Sequence, residues 1–166
     1  MSVNDGFLNW LAGLIDGEGY FGIRRQLIGH QFLVEFALRL RDDDFEILVE
    51  ICERLGLGWI TRSEASGSTH PSAGWRVSSQ TDTMKLMEIL DGHPLRTRKV
   101  KDYLIWREAV IEQQKHPGDR NLIKLQYLHD KIRFVRAYEE SEMDDYEPEG
   151  IQLEFPMMVD TEGEVK

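Results

Sequence analysis

Residues 20 to 40 alternate apolar and polar side chains with period two, the pattern of a half-buried antiparallel hairpin. Phe21, Ile23 and Leu27 share one face, with Arg24 and Gln26 on the other. Beyond a turn near Gly29, Phe32, Val34, Phe36, Leu38 and Leu40 oppose Gln31, Glu35, Ala37 and Arg39. The period then changes. Phe45, Leu48, Val49, Cys52 and Leu55 recur at helical spacing, closed by Gly56. Asp42, Asp43 and Asp44 immediately before them read as a helix start, where acids complement the dipole, in preference to a metal cluster. A second hairpin is predicted from Trp59 to Ser63 and from Gly74 to Ser79, joined by a loop rich in Ser, Gly and Pro. Trp75 and Val77 would face inward, and Thr61, Ser63, Arg76 and Ser78 outward. Thr81 to Leu90 reads as a short amphipathic helix packing Met84, Leu86, Met87 and Leu90. Asp91-Gly92-His93-Pro94 breaks it, and two longer helices follow at about 95 to 115 and 119 to 140, divided at His116-Pro117-Gly118.

Ahead of the first hairpin, Leu11-Ala12-Gly13-Leu14-Ile15-Asp16-Gly17-Glu18-Gly19 reads as a helix that ends in two carboxylates. Gly13 and Gly17 are four apart and lie on one helical face. Each glycine inside a helix costs roughly 1 kcal/mol relative to alanine, which suits a face that another backbone approaches closely. Asp16 and Glu18 sit at the negative end of the macrodipole, and a bound cation would remove that conflict.

At 166 residues the chain fits one domain, taken as 1–140, followed by an acidic tail at 141–166. The net charge of −10 argues against a nucleic-acid binder until its distribution is considered. Eleven of the thirty acids lie in residues 139–166 beside the single base Lys166, so the preceding part carries nineteen acids and nineteen bases. The tail also holds an apolar island, Ile151, Leu153, Phe155, Met157 and Met158. A solubilising segment is the first reading of this tail, and a mimic of DNA phosphates docked by that island is the second. One cysteine, Cys52, excludes a disulfide framework and suits a reducing compartment. No signal peptide or membrane-spanning run is visible, so a cytoplasmic protein with no membrane partner is expected, an organellar or phage-encoded origin being the alternative. The sequence offers no serine elbow, Cys-His pair or metal-spaced histidines.

The nine residues from Leu11 to Gly19 resemble the signature helix of the LAGLIDADG homing endonucleases at every position except Gly17 and Glu18. The resemblance extends over roughly residues 7 to 115. It implies an α+β fold of αββαββα order with a saddle-shaped antiparallel sheet, here followed by C-terminal helices at about 95–140. It further implies that two signature helices pack about a two-fold axis, so a chain with one such motif would act as a homodimer, with Ala12, Gly13, Asp16 and Gly17 at the seam. By the resemblance Glu18 is the metal-binding carboxylate, assisted by the Gly17 carbonyl. The cofactor would be Mg²⁺, with Mn²⁺ able to substitute. A basic catalytic residue falls on Arg98, or on Lys99 after a one-residue slip. The polar residue that the family commonly has at the end of the second strand falls on Leu40, where Arg41 would substitute.

Two-stranded ribbons fit the major groove, and the outward residues Arg24, Gln26, Gln31, Glu35, Arg39, Thr61, Ser63, Arg76 and Ser78 become candidate DNA contacts, with Lys101 on the helix beyond. Arginine can bond guanine bidentately, glutamine can bond adenine, and Glu35 could accept from a cytosine amine. The resemblance thus implies a site-specific double-strand DNA endonuclease with a long pseudo-palindromic site. An RNA maturase that binds intron RNA and a non-catalytic DNA-binding regulator are the other two classes compatible with it.

Overall fold

The computed structural model describes residues 3–26, 31–65 and 70–137. The turn at Gly29, Leu27 and the acidic tail lie outside these residues. Helix α1 (Asp5–Glu18) starts earlier than the signature, because Asn4 caps it by accepting from the Phe7 N–H at 2.9 Å. Strands β1 (Gly19–Arg25) and β2 (Phe32–Arg41) form the first hairpin. Helix α2 (Phe45–Leu55) leads to the second hairpin, β3 (Trp59–Ser63) and β4 (Ser72–Val77). Helices α3 (Gln80–Gly92), α4 (Lys99–Gln114) and α5 (Leu122–Ala137) complete the fold. The expected αββαββα order with C-terminal helices is therefore observed.

The four strands form one antiparallel sheet in the order β1-β2-β4-β3, which puts the two hairpins side by side with β2 and β4 central. The period-two pattern decides which face is covered. Phe21, Ile23, Val34, Phe36, Leu38, Trp75 and Val77 are buried beneath the sheet. Phe21 packs between Phe36 and Trp106 with ring centroids 5.2 and 5.3 Å away, and Phe36 meets Trp75 edge-on at 5.5 Å. Both buried indoles have hydrogen-bond partners, Trp75 Nε1 donating to the Leu57 carbonyl and Trp106 Nε1 to the Glu35 carbonyl, each at 2.8 Å. Truncating any one of these four rings to alanine would cost about 3–5 kcal/mol.

Three boundaries depart from expectation. Asp42, Asp43 and Asp44 form a 3-10 turn before α2 instead of its first α-turn. Two of their carboxylates are taken by arginines: Asp42 accepts a fork from Arg62 at 2.6 and 2.8 Å, and Asp43 pairs with Arg41 at 2.9 Å. Helix α4 begins at Lys99, not near 95, because the backbone of Arg96 and Thr97 is held elsewhere. Strand β4 runs Ser72–Val77, so Ser78 falls just beyond it. Among the described residues no helix is long and apolar enough to cross a membrane.

Candidate nucleic-acid interface and metal centre

Helix α1 runs directly into β1 with no loop. The Gly19 N–H closes the helix on the Ile15 carbonyl while its own backbone is already extended. A Cβ at Gly19 would lie 2.7 Å from the Ile15 oxygen, so glycine is required at this junction. Glu18, the residue before it, is exposed at the rim of the open sheet face. Lys99, at the start of α4, reaches the same helix end. Its Nζ donates to the carbonyls of Gly17 at 3.2 Å and Gly19 at 2.6 Å. An ammonium at the negative end of a helix is favourable, and it relieves from within the chain the conflict posed by two acids there.

Asp16 positions Lys99. Its carboxylate accepts from the Arg96 N–H at 2.7 Å, the Thr97 N–H at 3.2 Å and the Thr97 hydroxyl at 2.8 Å, tying the link before α4 to the end of α1. Asp16 is thus engaged within its own chain, with the link that precedes α4. Of the two predicted bases, Arg98 points elsewhere: its guanidinium donates to the Val135 carbonyl near the end of α5. Arg41, on β2 beyond the Leu38–Gly19 pair, is exposed and paired with Asp43. Leu40 turns toward the core, leaving Arg39 and Arg41 on the open face.

That open face is a shallow depression of about 360 Å³ lined by Glu18, Tyr20, Arg24, Glu35, Arg39 and Arg76, with Thr61 at its side. Its floor is low because Gly22, Ala37 and Gly74 have almost no side chain. Strand register sets the rows: Tyr20, Ala37, Arg76 and Trp59 lie side by side across all four strands, and Arg39, Gly74 and Thr61 form another row. Ser63 stands opposite Ser72 near one margin. Gln26 and Gln31 are exposed at the tip of the first hairpin, where the Gln26 N–H donates to the Gln31 carbonyl. Lys101 is exposed on the first turn of α4.

Glu35 does not stand free as a base reader would: it is 7% exposed, and its carboxylate pairs with Arg24 at 2.8 Å. Sequence reasoning passed over Tyr20 and Trp59, both about half exposed on this face. Their signal was available, since Tyr20 shares the strand parity of Arg24. It also passed over Arg136, which donates to the Phe21 carbonyl at 2.5 Å and lies over the Tyr20 ring at 4.6 Å; nothing local in the sequence marks a contact 115 residues apart.

The donor set for a metal ion is small. Glu18 and the Gly17 carbonyl are hard oxygen donors of the kind Mg²⁺ prefers. Among the described residues no group of three or more His, Cys, Asp or Glu could hold an ion alone. The residues therefore fit a hard divalent cation in kind, while one chain supplies only part of a coordination shell.

An acid-tipped helix feeding a four-stranded open sheet with an arginine-lined face is the architecture of a LAGLIDADG-type protein. A family model described as LAGLIDADG endonuclease matches residues 11–110, and the chain belongs to that family. A probable intron-encoded endonuclease of Schizosaccharomyces pombe, Cox1-I1b, is 26% identical over 145 residues, which is 84% of this chain and 37% of the relative. Probable intron-encoded endonuclease 3 of Neurospora crassa is 29% identical over 109 residues, 60% of this chain and 19% of the relative. The chain thus spans well under half the length of these curated relatives. Among solved structures, the homing endonuclease I-TnaI superposes with a TM-score of 0.64 at 22% identity, covering 84% of this chain and 99% of that one. The meganuclease I-AabMI, solved bound to uncleaved DNA, gives 0.63 at 26% identity, covering 76% and 43%.

Proposed function

We propose that this chain is a site-specific, divalent-metal-dependent endonuclease for double-stranded DNA, acting as a homodimer on a long pseudo-palindromic site. The observation that carries the reading is that one depression joins the exposed Glu18 to the arginine-bearing sheet face. The DNA-bound state of the related I-AabMI supports the choice of partner.

In this reading the sheet face enters the major groove, with Arg24, Arg39, Thr61 and Arg76 toward base edges and Ser63, Ser78, Gln26 and Gln31 at its margins. Glu18 and the Gly17 carbonyl would hold Mg²⁺, or Mn²⁺ in its place. When bound, such an ion supplies charge neutralisation at the phosphate and an activated water. Lys99, beside the same helix end, adds positive charge where a scissile phosphate would lie and is the basic catalytic residue we assign. Arg98, engaged with Val135, is not given that role; Arg41 and Lys101 serve as phosphate contacts.

The homodimer is supported by the outer face of α1. Nothing lies within 4 Å of a Cβ at Gly13 or Gly17, and Trp10 on the same helix is 45% exposed. A groove of about 440 Å³ lined by Asn9, Ala12, Gly13, Asp16, Pro94 and Arg96 runs beside it. A second copy of α1 packed there about a two-fold axis would bring two Glu18 carboxylates together and complete the coordination shell.

The test is cleavage of a duplex made by joining the sequences that flank the reading frame, with Mg²⁺ present. Wild-type protein should cut both strands, and Glu18→Gln should bind the duplex with unchanged affinity and leave it intact. Cleavage by Glu18→Gln at the wild-type rate would refute the assignment. Binding without cleavage by the wild type would favour a non-catalytic regulator, and preference for the flanking intron RNA a maturase.

A further inference from the structure

Glu35 is the most enclosed charged residue on the open face. It sits on central strand β2 directly opposite Gly22, and a Cβ at Gly22 would come within 2.9 Å of the Glu35 Cγ. The absent side chain lets the carboxylate lie down against the sheet. From beneath, Trp106 Nε1 fixes the Glu35 carbonyl at 2.8 Å. From beside, Arg24 grips both carboxylate oxygens, Nε to Oε1 at 2.8 Å and Nη2 to Oε2 at 2.8 Å, and Arg76 Nη1 lies 3.8 Å from Oε2. A carboxylate that faces DNA repels every phosphate alike, so its presence here calls for a local gain.

That gain lies in the geometry of the fork. Arg24 uses Nε–H and one Nη2–H on Glu35. The Nη1 hydrogens and the second Nη2 hydrogen remain, pointing away from the side chain as a second, end-on pair of donors. Such a pair matches the O6 and N7 acceptors of guanine in the major groove. Resting on the DNA-endonuclease reading above, we propose that Glu35 is a positioning residue for base recognition: it holds Arg24 so that its free edge selects a guanine in each half-site. Glu35 itself touches no base.

The proposal separates two quantities that a structural role would move together. Removing the carboxylate lowers discrimination at one base pair of each half-site and raises non-specific affinity, because a negative charge leaves the face. The experiment is binding selection from a randomised duplex library in EDTA, using the full chain as wild type, Glu35→Gln, Glu35→Asp, Arg24→Ala and Arg24→Ala with Glu35→Gln. Melting curves accompany each variant.

The wild type should enrich a guanine that Arg24→Ala no longer selects. Glu35→Gln should lose about tenfold of the preference at that position alone, with other positions unchanged and affinity for unrelated duplex severalfold higher. Glu35→Asp, one methylene too short to keep both contacts, should lose the same preference and serves if the glutamine variant does not fold. The double variant should lose no more than Arg24→Ala. Retention of the preference in both Glu35 variants, or its erosion at every position equally, would overturn the proposal while leaving the endonuclease reading intact. A wild type that enriches no sequence would overturn that reading and this inference with it.

Discussion

Replacing Asp16 with asparagine tests whether the end of α1 is organised by its acid or merely near it. The carboxylate receives three donors, two backbone N–H groups and the Thr97 hydroxyl, at 2.7, 3.2 and 2.8 Å. Hydrogen bonds to a charged acceptor are worth about 1.5–3 kcal/mol each when buried. Asp16 is half-buried and its partners are exposed, so water screens them, and about 1–3 kcal/mol in total is expected. Asparagine keeps one acceptor and turns an amide N–H₂ toward a backbone N–H, so most of that would be lost.

At about 3–4 °C per kcal/mol for a domain of this size, thermal unfolding should fall by roughly 3–10 °C. The same link delivers Lys99 to the Gly17 and Gly19 carbonyls. Cleavage assayed well below both unfolding midpoints should therefore slow by about tenfold, the rate equivalent of 1.4 kcal/mol. Calorimetry on the full chain and a single-turnover cleavage assay measure the two effects. An unchanged midpoint would refute the anchoring role, and a lowered midpoint with full cleavage would refute the link from Asp16 to Lys99.

Two further outcomes follow from other parts of the molecule. Gly19→Ala should destabilise the fold by about 1–3 kcal/mol, because its Cβ would press on the Ile15 oxygen and the Phe36 ring at the α1–β1 junction; urea unfolding measures this. Asp91 joins α3 to α4: the Arg107 guanidinium beside it holds its carboxyl below the usual value, the Tyr103 hydroxyl adds to this, and burial opposes it. A lowered folded-state value means the pair stabilises the protein above the ordinary carboxylate range and loses that contribution as pH falls through the lowered value. Asp91→Asn should accordingly lower stability at neutral pH and flatten its decline toward acid, which denaturant titrations at a series of pH values would show.

Much of the fold was legible in the chain itself. Periods of two and about 3.6 place the strands and helices, because burial of one face is a local repeat that side-chain order records directly. The signature Leu11–Gly19 identified the helix that carries Glu18, and parity along β1 and β2 put Arg24, Gln26 and Arg39 on the open face. Boundaries failed where a distant group intervened. The start of α4 slid to Lys99 because Asp16, eighty residues earlier, captures the Arg96 N–H. Of the aspartates before α2, Asp42 turned to Arg62, twenty residues on, and Asp43 to its neighbour Arg41, instead of to the helix dipole.

The sequence alone determined the repeat, the acid-tipped helix and the set of polar side chains on the open face of the sheet, since each depends on neighbours a few residues apart. Tertiary structure decided which of them meet. It brought Lys99 and not Arg98 to the helix end, because consecutive residues at the start of α4 are rotated by about 100° from one another, so that one side chain reaches α1 and the other α5. It also set Glu35 opposite Gly22 and beneath Arg24, turning an apparent base reader into the enclosed partner of Arg24. Cross-strand register makes that contact, and register is fixed by the pairing of whole strands, not by the spacing of residues along one.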